Sequence, residues 1–370
     1  MSQILIVVYI FLIFGHLSFY LNKRKSYLFV YITSILLFFL MSGHEYSGAG
    51  DAIDFYAYWY GYTEFENIER KDFWFYYLFY TSEKIGLFLS LSFYQWWGVM
   101  TAISLNFIIR TIKKREYDPH LFFIFFMFYY VFLFYGGLKF FYGFCLFQYA
   151  LTFLIKGERR GKLKFILFTL LAGGFHVMYY MFLILLLVNL KVKKRKYLIK
   201  IIVGFSLLVS LLNLITGRGL LNSIQGIIDS MQNDRLSTYF AIRTNWGFML
   251  PIGIHILVTI YSLKYRNIVS KYDQHKWYSY ANTLFYVNLI TVVFYPLYMI
   301  VLTFMRLLTA LSLTTIIASG YRLELLNKRD KLKLLSSGFL IICLYFYINM
   351  YLNDYISKTV LPFFDSYYFK

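Results

Sequence analysis

Charge is scarce in this sequence. Asp, Glu, Lys and Arg make up only 15% of 370 residues, where a soluble domain carries roughly a quarter. A single water-bathed globular core is therefore excluded. Cysteine is scarcer still: Cys145 and Cys343 both lie inside apolar runs, which leaves no disulfide framework and no cysteine-built zinc site. Several chemical signatures are missing as well. No Walker A loop, zinc-type His/Glu motif, dinucleotide glycine fingerprint or Asp-x-Asp pair occurs, which argues against ATP-driven transport and cytosolic sugar-nucleotide chemistry. No mid-span charge pair repeats in two halves, as inverted-repeat transporters often show. No small-residue cleavage site follows the first apolar run, so that run is expected to be a first helix rather than a removable signal.

What is present in abundance is apolar length. Hydrophobic residues reach 60%, spread over many runs, and the formal charge of +19 falls in short clusters between them. Clusters of Lys and Arg between apolar runs mark cytoplasmic loops and anionic-lipid contact, so the basicity points to topology and not to nucleic acid. Spans are expected at 3–21, 27–42, 94–112, 120–135, 138–156, 198–215, 247–263, 278–300, 302–320 and 334–352. Lys23-Arg24-Lys25, the Arg110–Arg115 cluster, Arg159-Arg160, Lys191–Lys196, the Lys264–Lys276 loop and Arg322–Lys333 then all fall inside with one phasing. The expected fold is all-α: a polytopic transmembrane helical protein of about 10–12 spans, in a single membrane domain over 1–370. External segments are expected at about 43–92, 216–246 and 353–370. Within the first, residues 73–91 are aromatic but interrupted by Glu83 and Lys84, the pattern of an interfacial or partly inserted helix.

One stretch does not fit a simple crossing. Phe165–Leu190 is apolar almost throughout, carries Gly173-Gly174-Phe175-His176 at its middle, and is closed by basic clusters at both ends. A span needs roughly 20 apolar residues, so this run is too long for one crossing and too short for two. Positive charge at both ends predicts a re-entrant hairpin broken at Gly-Gly-Phe-His. Broken helices persist in a bilayer only where protein or a wet cavity covers the freed backbone. That makes the surroundings of His176 the first candidate site.

Ionisable groups at membrane depth need a partner or a purpose. Lys139 stands at the start of a span, just past Gly136-Gly137, and Arg306 lies about four residues into an apolar run. An arginine there calls for an anion or a carboxylate. The external segment after the second span is the most acidic of the chain, and its Asp51-Ala52-Ile53-Asp54-Phe55-Tyr56-Ala57-Tyr58-Trp59-Tyr60 run sets carboxylates beside aromatic rings. Asp for sugar hydroxyls and Tyr or Trp for sugar faces is a carbohydrate-like combination.

These features resemble the EpsG/Wzy-like family of bacterial polysaccharide repeat-unit polymerases, over most of the chain. Three local matches carry the resemblance: Gly50, Asp51, Asp54, Tyr56 and Tyr58; Gly136-Gly137-Leu138-Lys139-Phe140-Phe141 followed, past a span and a basic loop, by Ala172-Gly173-Gly174-Phe175-His176; and Met305-Arg306-Leu307. The family usually has Ile-Arg-Gln where this chain has Leu138-Lys139-Phe140. Lysine keeps the charge and loses the two-pronged phosphate grip of arginine.

The resemblance implies a GT-C-like membrane glycosyltransferase in the bacterial cytoplasmic membrane, making capsule, exopolysaccharide or O-antigen. Its substrate would be undecaprenyl-pyrophosphate-linked oligosaccharide, polymerised at the outer face without metal or cofactor. Asp51, Asp54 and His176 would be catalytic. Arg306, Lys139 and Arg243 would bind the pyrophosphate, and Tyr56 and Tyr58 the sugars. A chain-length regulator and a flippase would be its protein partners, beside membrane lipids. A lipid-linked oligosaccharide flippase and a membrane O-acyltransferase are the rival readings. The first would leave its substrate chemically unchanged, and the second would need a cytoplasmic acyl-donor site.

Overall fold

A backbone in hydrocarbon must pair its own N–H and C=O groups, and a helix does so within one segment. In a computed structural model, residues 2–42, 81, 84–114, 117–132, 138–156, 160–215, 248–272, 275–300, 304–352 and 360–364 are described, and all regular structure among them is helical. In chain order the main helices are α1 (Ser2–Leu21), α2 (Tyr27–Ser42), α3 (Phe93–Lys114), α4 (Pro119–Phe125), α5 (Leu138–Lys156) and α6 (Gly161–Phe175). A 3-10 segment over Val177–Asn189 follows, then α7 (Val192–Ile215), α8 (Met249–Val269), α9 (His275–Ile290), α10 (Tyr295–Ile300), α11 (Met305–Ser319) and α12 (Lys328–Leu352).

Among the described residues, three helical stretches are long and apolar enough to cross a membrane: Gln3–Leu21, Val192–Asn213 and His275–Met299. Shorter apolar helices cover Tyr27–Leu40, Pro119–Phe128, Val177–Asn189 and Met305–Ser319. The surfaces agree with a membrane setting. On α1 the exposed residues Ile4, Val7, Phe11 and Phe14 form one stripe, and on α7 Ile201, Phe205, Leu208, Leu212 and Ile215 form another. The spacing of three, four and seven puts each set on one helix face. In water such stripes would be a liability; in a bilayer they face lipid.

The chain divides into two compact units. The first comprises Met1–Phe153, Leu163–Met181 and Gly320–Lys370. Within it α2 lies along α3 and α1 lies on α4. Pro119 opens α4 as expected: it fixes φ where no N–H is needed, and the Asp118 carboxylate accepts the N–H groups of His120 and Leu121 as N-cap. The expected span from 120 is not one uniform helix, because α4 passes into a π-helical turn over Phe126–Tyr130. The Phe128 ring meets Phe339 and Phe346 of α12 at 5.1 and 5.5 Å.

The second unit comprises Leu154–Lys162 and Phe182–Ser319. Its core helix is α11, buried at every position except Arg306. Tyr280 donates its hydroxyl to the Ala318 carbonyl at 2.9 Å, and Trp277 donates to the Tyr265 hydroxyl at 2.9 Å. The expected span 278–300 is interrupted here by a 3-10 turn over Thr291–Phe294. Pro296 explains the break. It has no N–H for the Val292 carbonyl and its ring crowds that group. Val292 accepts the Tyr295 N–H of the tighter turn instead, together with the Ser206 hydroxyl of α7 at 2.7 Å.

Candidate functional site

The break in the Phe165–Leu190 stretch falls where the sequence places it. α6 ends at Phe175, His176 is non-helical, and the 3-10 segment begins at Val177. Each of Gly173 and Gly174 costs a helix about 1 kcal/mol relative to alanine. His176 then redirects the backbone, its Nδ1 accepting the Met178 N–H at 3.4 Å and its carbonyl the Tyr179 N–H at 3.0 Å. Gly173 and Tyr180 are seven residues apart, about 10 Å along a straight helix. Yet a Tyr180 ring carbon sits 2.2 Å from where a Cβ on Gly173 would be. The chain bends sharply at His176.

The limb beyond the break is a 13-residue 3-10 helix. Runs longer than three or four residues are uncommon, and at about 2.0 Å per residue this one reaches about 26 Å. The preceding limb, 15 residues of α-helix, reaches about 22 Å. Each limb is shorter than a hydrocarbon core of about 30 Å.

The break is tied to the start of α5 by aromatic rings. Phe140 meets the His176 imidazole edge to face at 5.4 Å and stacks on Tyr179 at 5.4 Å. Tyr179 donates its hydroxyl to the Phe140 carbonyl at 2.9 Å. Gly143, one turn on, makes this possible: a Cβ there would lie 2.4 Å from the Tyr179 ring. Tyr142 and Phe175 close the corner, ring centroids 5.7 Å apart. The two stretches that carry the middle part of the family resemblance thus share one corner of the first unit, with Lys139 on the adjoining residue, half-buried.

His176 is buried. With Nδ1 accepting a backbone N–H, the neutral ring carries its proton on Nε2 and is a hydrogen-bond donor there. Lys139 is the second residue of α5, and Arg306 the second residue of α11 in the other unit, also half-buried. A helix N-terminus already carries partial positive charge, so a cation there is unfavourable by about 0.3–1 kcal/mol unless an anion joins it. Both cations therefore stand where an anion is favoured.

Asp51, Asp54, Tyr56, Tyr58 and Arg243 lie outside the described residues, as do Gly136-Gly137, Glu83 and most of the three expected external segments. Of the described part of the first, residues 84–88 are helical, with Ile85, Leu87 and Phe88 exposed.

Sequence reading missed the seats that hold the corner together. Gly143 follows Lys139 by four residues, and the Tyr179-Tyr180 pair follows the break, but neither has a motif of its own. It also missed a polar knot in the second unit. There the Asn288 side-chain oxygen accepts from Thr315 at 3.1 Å, and His255 Nε2 lies 2.9 Å from the Thr291 hydroxyl.

The sequence pattern of one known family, described as the EpsG family, matches residues 28–364, more than nine-tenths of the chain. No curated protein and no solved structure matches.

Proposed function

This chain belongs to the EpsG family, and on that premise we propose that it is a polysaccharide polymerase joining undecaprenyl-pyrophosphate-linked oligosaccharide repeat units. The reaction takes place at the outer face of the bacterial cytoplasmic membrane. The acceptor is the terminal sugar hydroxyl of one lipid-linked unit, and the donor is the glycan of another. The hydroxyl oxygen bonds to the donor's anomeric carbon while the bond from that carbon to the pyrophosphate breaks. The lipid pyrophosphate leaves with the electron pair, and the hydroxyl proton passes to a carboxylate, Asp51 or Asp54. Tyr56 and Tyr58 bind sugar faces. The sequence offers no Asp-x-Asp pair for a metal, and the transfer is proposed to run on protein cations alone.

The observation that carries this reading is the corner at His176. Phe140, His176 and Tyr179 bring the Lys139 helix start against the break. Lys139 supplies charge for a leaving pyrophosphate, and the His176 Nε2–H a donor beside it. Donor and acceptor each carry a pyrophosphate, and Arg306 and Arg243 are proposed as further contacts to such groups.

The test is reconstitution of the purified chain in liposomes with single lipid-linked repeat units. A polymerase converts them to a ladder of longer lipid-linked glycans and releases lipid pyrophosphate. Single units moved across the bilayer unjoined would mean a flippase. Units that gain an acyl group would mean an acyltransferase. Either result overturns the reading.

A further inference from the structure

A second histidine cluster, in the first unit and away from His176, has hydrogen bonds that fix the position of every proton. His16 of α1 and His120 of α4 face each other, Nδ1 to Nδ1, at 2.8 Å. Both are fully buried. At one end of the pair the Ser26 N–H donates to His120 Nε2 at 3.1 Å. At the other end His16 Nε2 meets the Thr33 hydroxyl at 2.9 Å, and that hydroxyl donates to the Phe29 carbonyl at 3.0 Å.

The two ends leave no choice of tautomer. A backbone N–H can only donate, so His120 Nε2 is bare and its ring proton is on Nδ1. That proton is given to His16 Nδ1, which is therefore bare, and His16 carries its own proton on Nε2. Thr33 has spent its hydroxyl proton on Phe29 and accepts. Four links run in one direction from Ser26 to Phe29, with two neutral imidazoles between them.

This arrangement cannot take one more proton without losing a link. With three protons on four ring nitrogens, the Nδ1-to-Nδ1 link survives only if it holds a single proton. Both Nε2 atoms are then protonated, and His120 Nε2–H points at the Ser26 N–H. Either the imidazole pair or the Ser26 link must part. A proton shared between the two Nδ1 atoms keeps the hydrogen bond between the rings, and the faces of Phe123, stacked on His16 at 5.0 Å, and Phe19, stacked on His120 at 5.1 Å, attract the added charge. We propose that the His16–His120 pair is a binding site for one proton, and that filling it releases the Ser26 link tying α4 to the start of α2. Ser26 caps α2 through its hydroxyl, which accepts the Phe29 N–H at 3.3 Å, so the loop between α1 and α2 loosens when the link is lost.

The charged and titratable neighbours are few. Asp118, two residues before His120 in the chain, is occupied by capping α4. Tyr20 of α1 lies under the Lys331 ammonium of α12, and Tyr27 of α2 lies under that of Lys113 from α3. Lys23, Arg24 and Lys25 stand in the α1–α2 loop. The cost of burying a charge at His120 outweighs the opposing pull of Asp118, the carboxylate among these.

The test uses the full chain in liposomes, labelled with ¹⁵N-histidine, with His120 assigned through Pro119–His120, the single Pro–His pair of the sequence. At neutral pH, His120 is expected as the Nδ1–H tautomer, with a ¹⁵N–¹⁵N coupling through its bond to His16. On acidification from about pH 7.5 to about pH 3, well below the ordinary imidazole value of roughly 6.5 because burial opposes a charged ring, the pair takes up one proton. The hydrogen-exchange protection of the Ser26 amide then falls at least about tenfold, and the variant His120→Phe does not show the fall. An Nε2–H tautomer at His120, or Ser26 protection that does not change on acidification, overturns the proposal. Both are read on the unaltered chain, so a variant that fails to fold leaves the proposal testable.

Discussion

At the scale of single residues, the His176 corner depends on missing atoms. Gly143 leaves room for a fully buried ring, Tyr179, that is held at both its face and its hydroxyl. Gly143→Ala puts a methyl group 2.4 Å from that ring and 3.1 Å from the Ala172 carbonyl, and neither neighbour can swing into open space. Unfolding in detergent is expected to show a loss of about 1–3 kcal/mol. Combining it with Tyr179→Ala should cost less than the sum of the two single changes, since the clash disappears with the ring. Strict additivity would mean that the seat is not what Gly143 provides. The contrast with the sequence is instructive. Gly173-Gly174-Phe175-His176 was legible as a break because two glycines and a polar ring inside an apolar run need a reason. Gly143 was not, because a lone glycine in an apolar helix has no pattern until its neighbour is known.

At the scale of elements, the hydropathy pattern located the helices well and their interior irregularities poorly. The expected spans 94–112, 138–156 and 334–352 lie within α3, α5 and α12, and 247–263 overlaps α8 from Met249 onward. A run of apolar side chains reads the same whether its turns close on the third, fourth or fifth residue. The π turn at Phe126–Tyr130 and the 3-10 limb at Val177–Asn189 were therefore invisible. Pro296 was visible, but its partner was not. Ser206 reaches the Val292 carbonyl from 86 residues away, and it can do so because proline leaves that carbonyl short of a helical donor. Ser206→Ala is expected to cost about 0.6 kcal/mol, the usual worth of a hydrogen bond between helices in a membrane. In a Pro296→Ala background the cost should shrink, because residue 296 then supplies its own N–H to Val292. Equal costs in both backgrounds would disconnect the two residues.

At the scale of the whole molecule, composition and charge placement indicated a membrane protein. The exposed apolar stripes of α1 and α7 bear this out, and the family match spans residues 28–364. The candidate site is legible only in part. Lys139, His176 and Arg306 are placed, while Asp51, Asp54, Tyr56, Tyr58 and Arg243 fall outside the described residues. One long-range electrostatic consequence concerns Lys331 at the start of α12. Burial, then Lys23, holds its ammonium below the usual lysine range, against the pull of Asp118 and Glu324. The unfolded chain therefore holds that proton more tightly, and stability rises with pH between the folded value and the ordinary lysine value of about 10.4. Lys331→Met should flatten this rise in thermal unfolding scans; an unchanged slope would assign it to another group.

The central claim is that Lys139, at the start of α5 beside the His176 break, stabilises a departing pyrophosphate. Single-turnover transfer between two purified lipid-linked repeat units, compared for Lys139, Lys139→Arg and Lys139→Met, tests it most directly. Arginine is expected to sustain the rate and methionine to lower it by about 100-fold, with the protein folded and the donor still bound. A methionine variant within about twofold of the unaltered chain would contradict it.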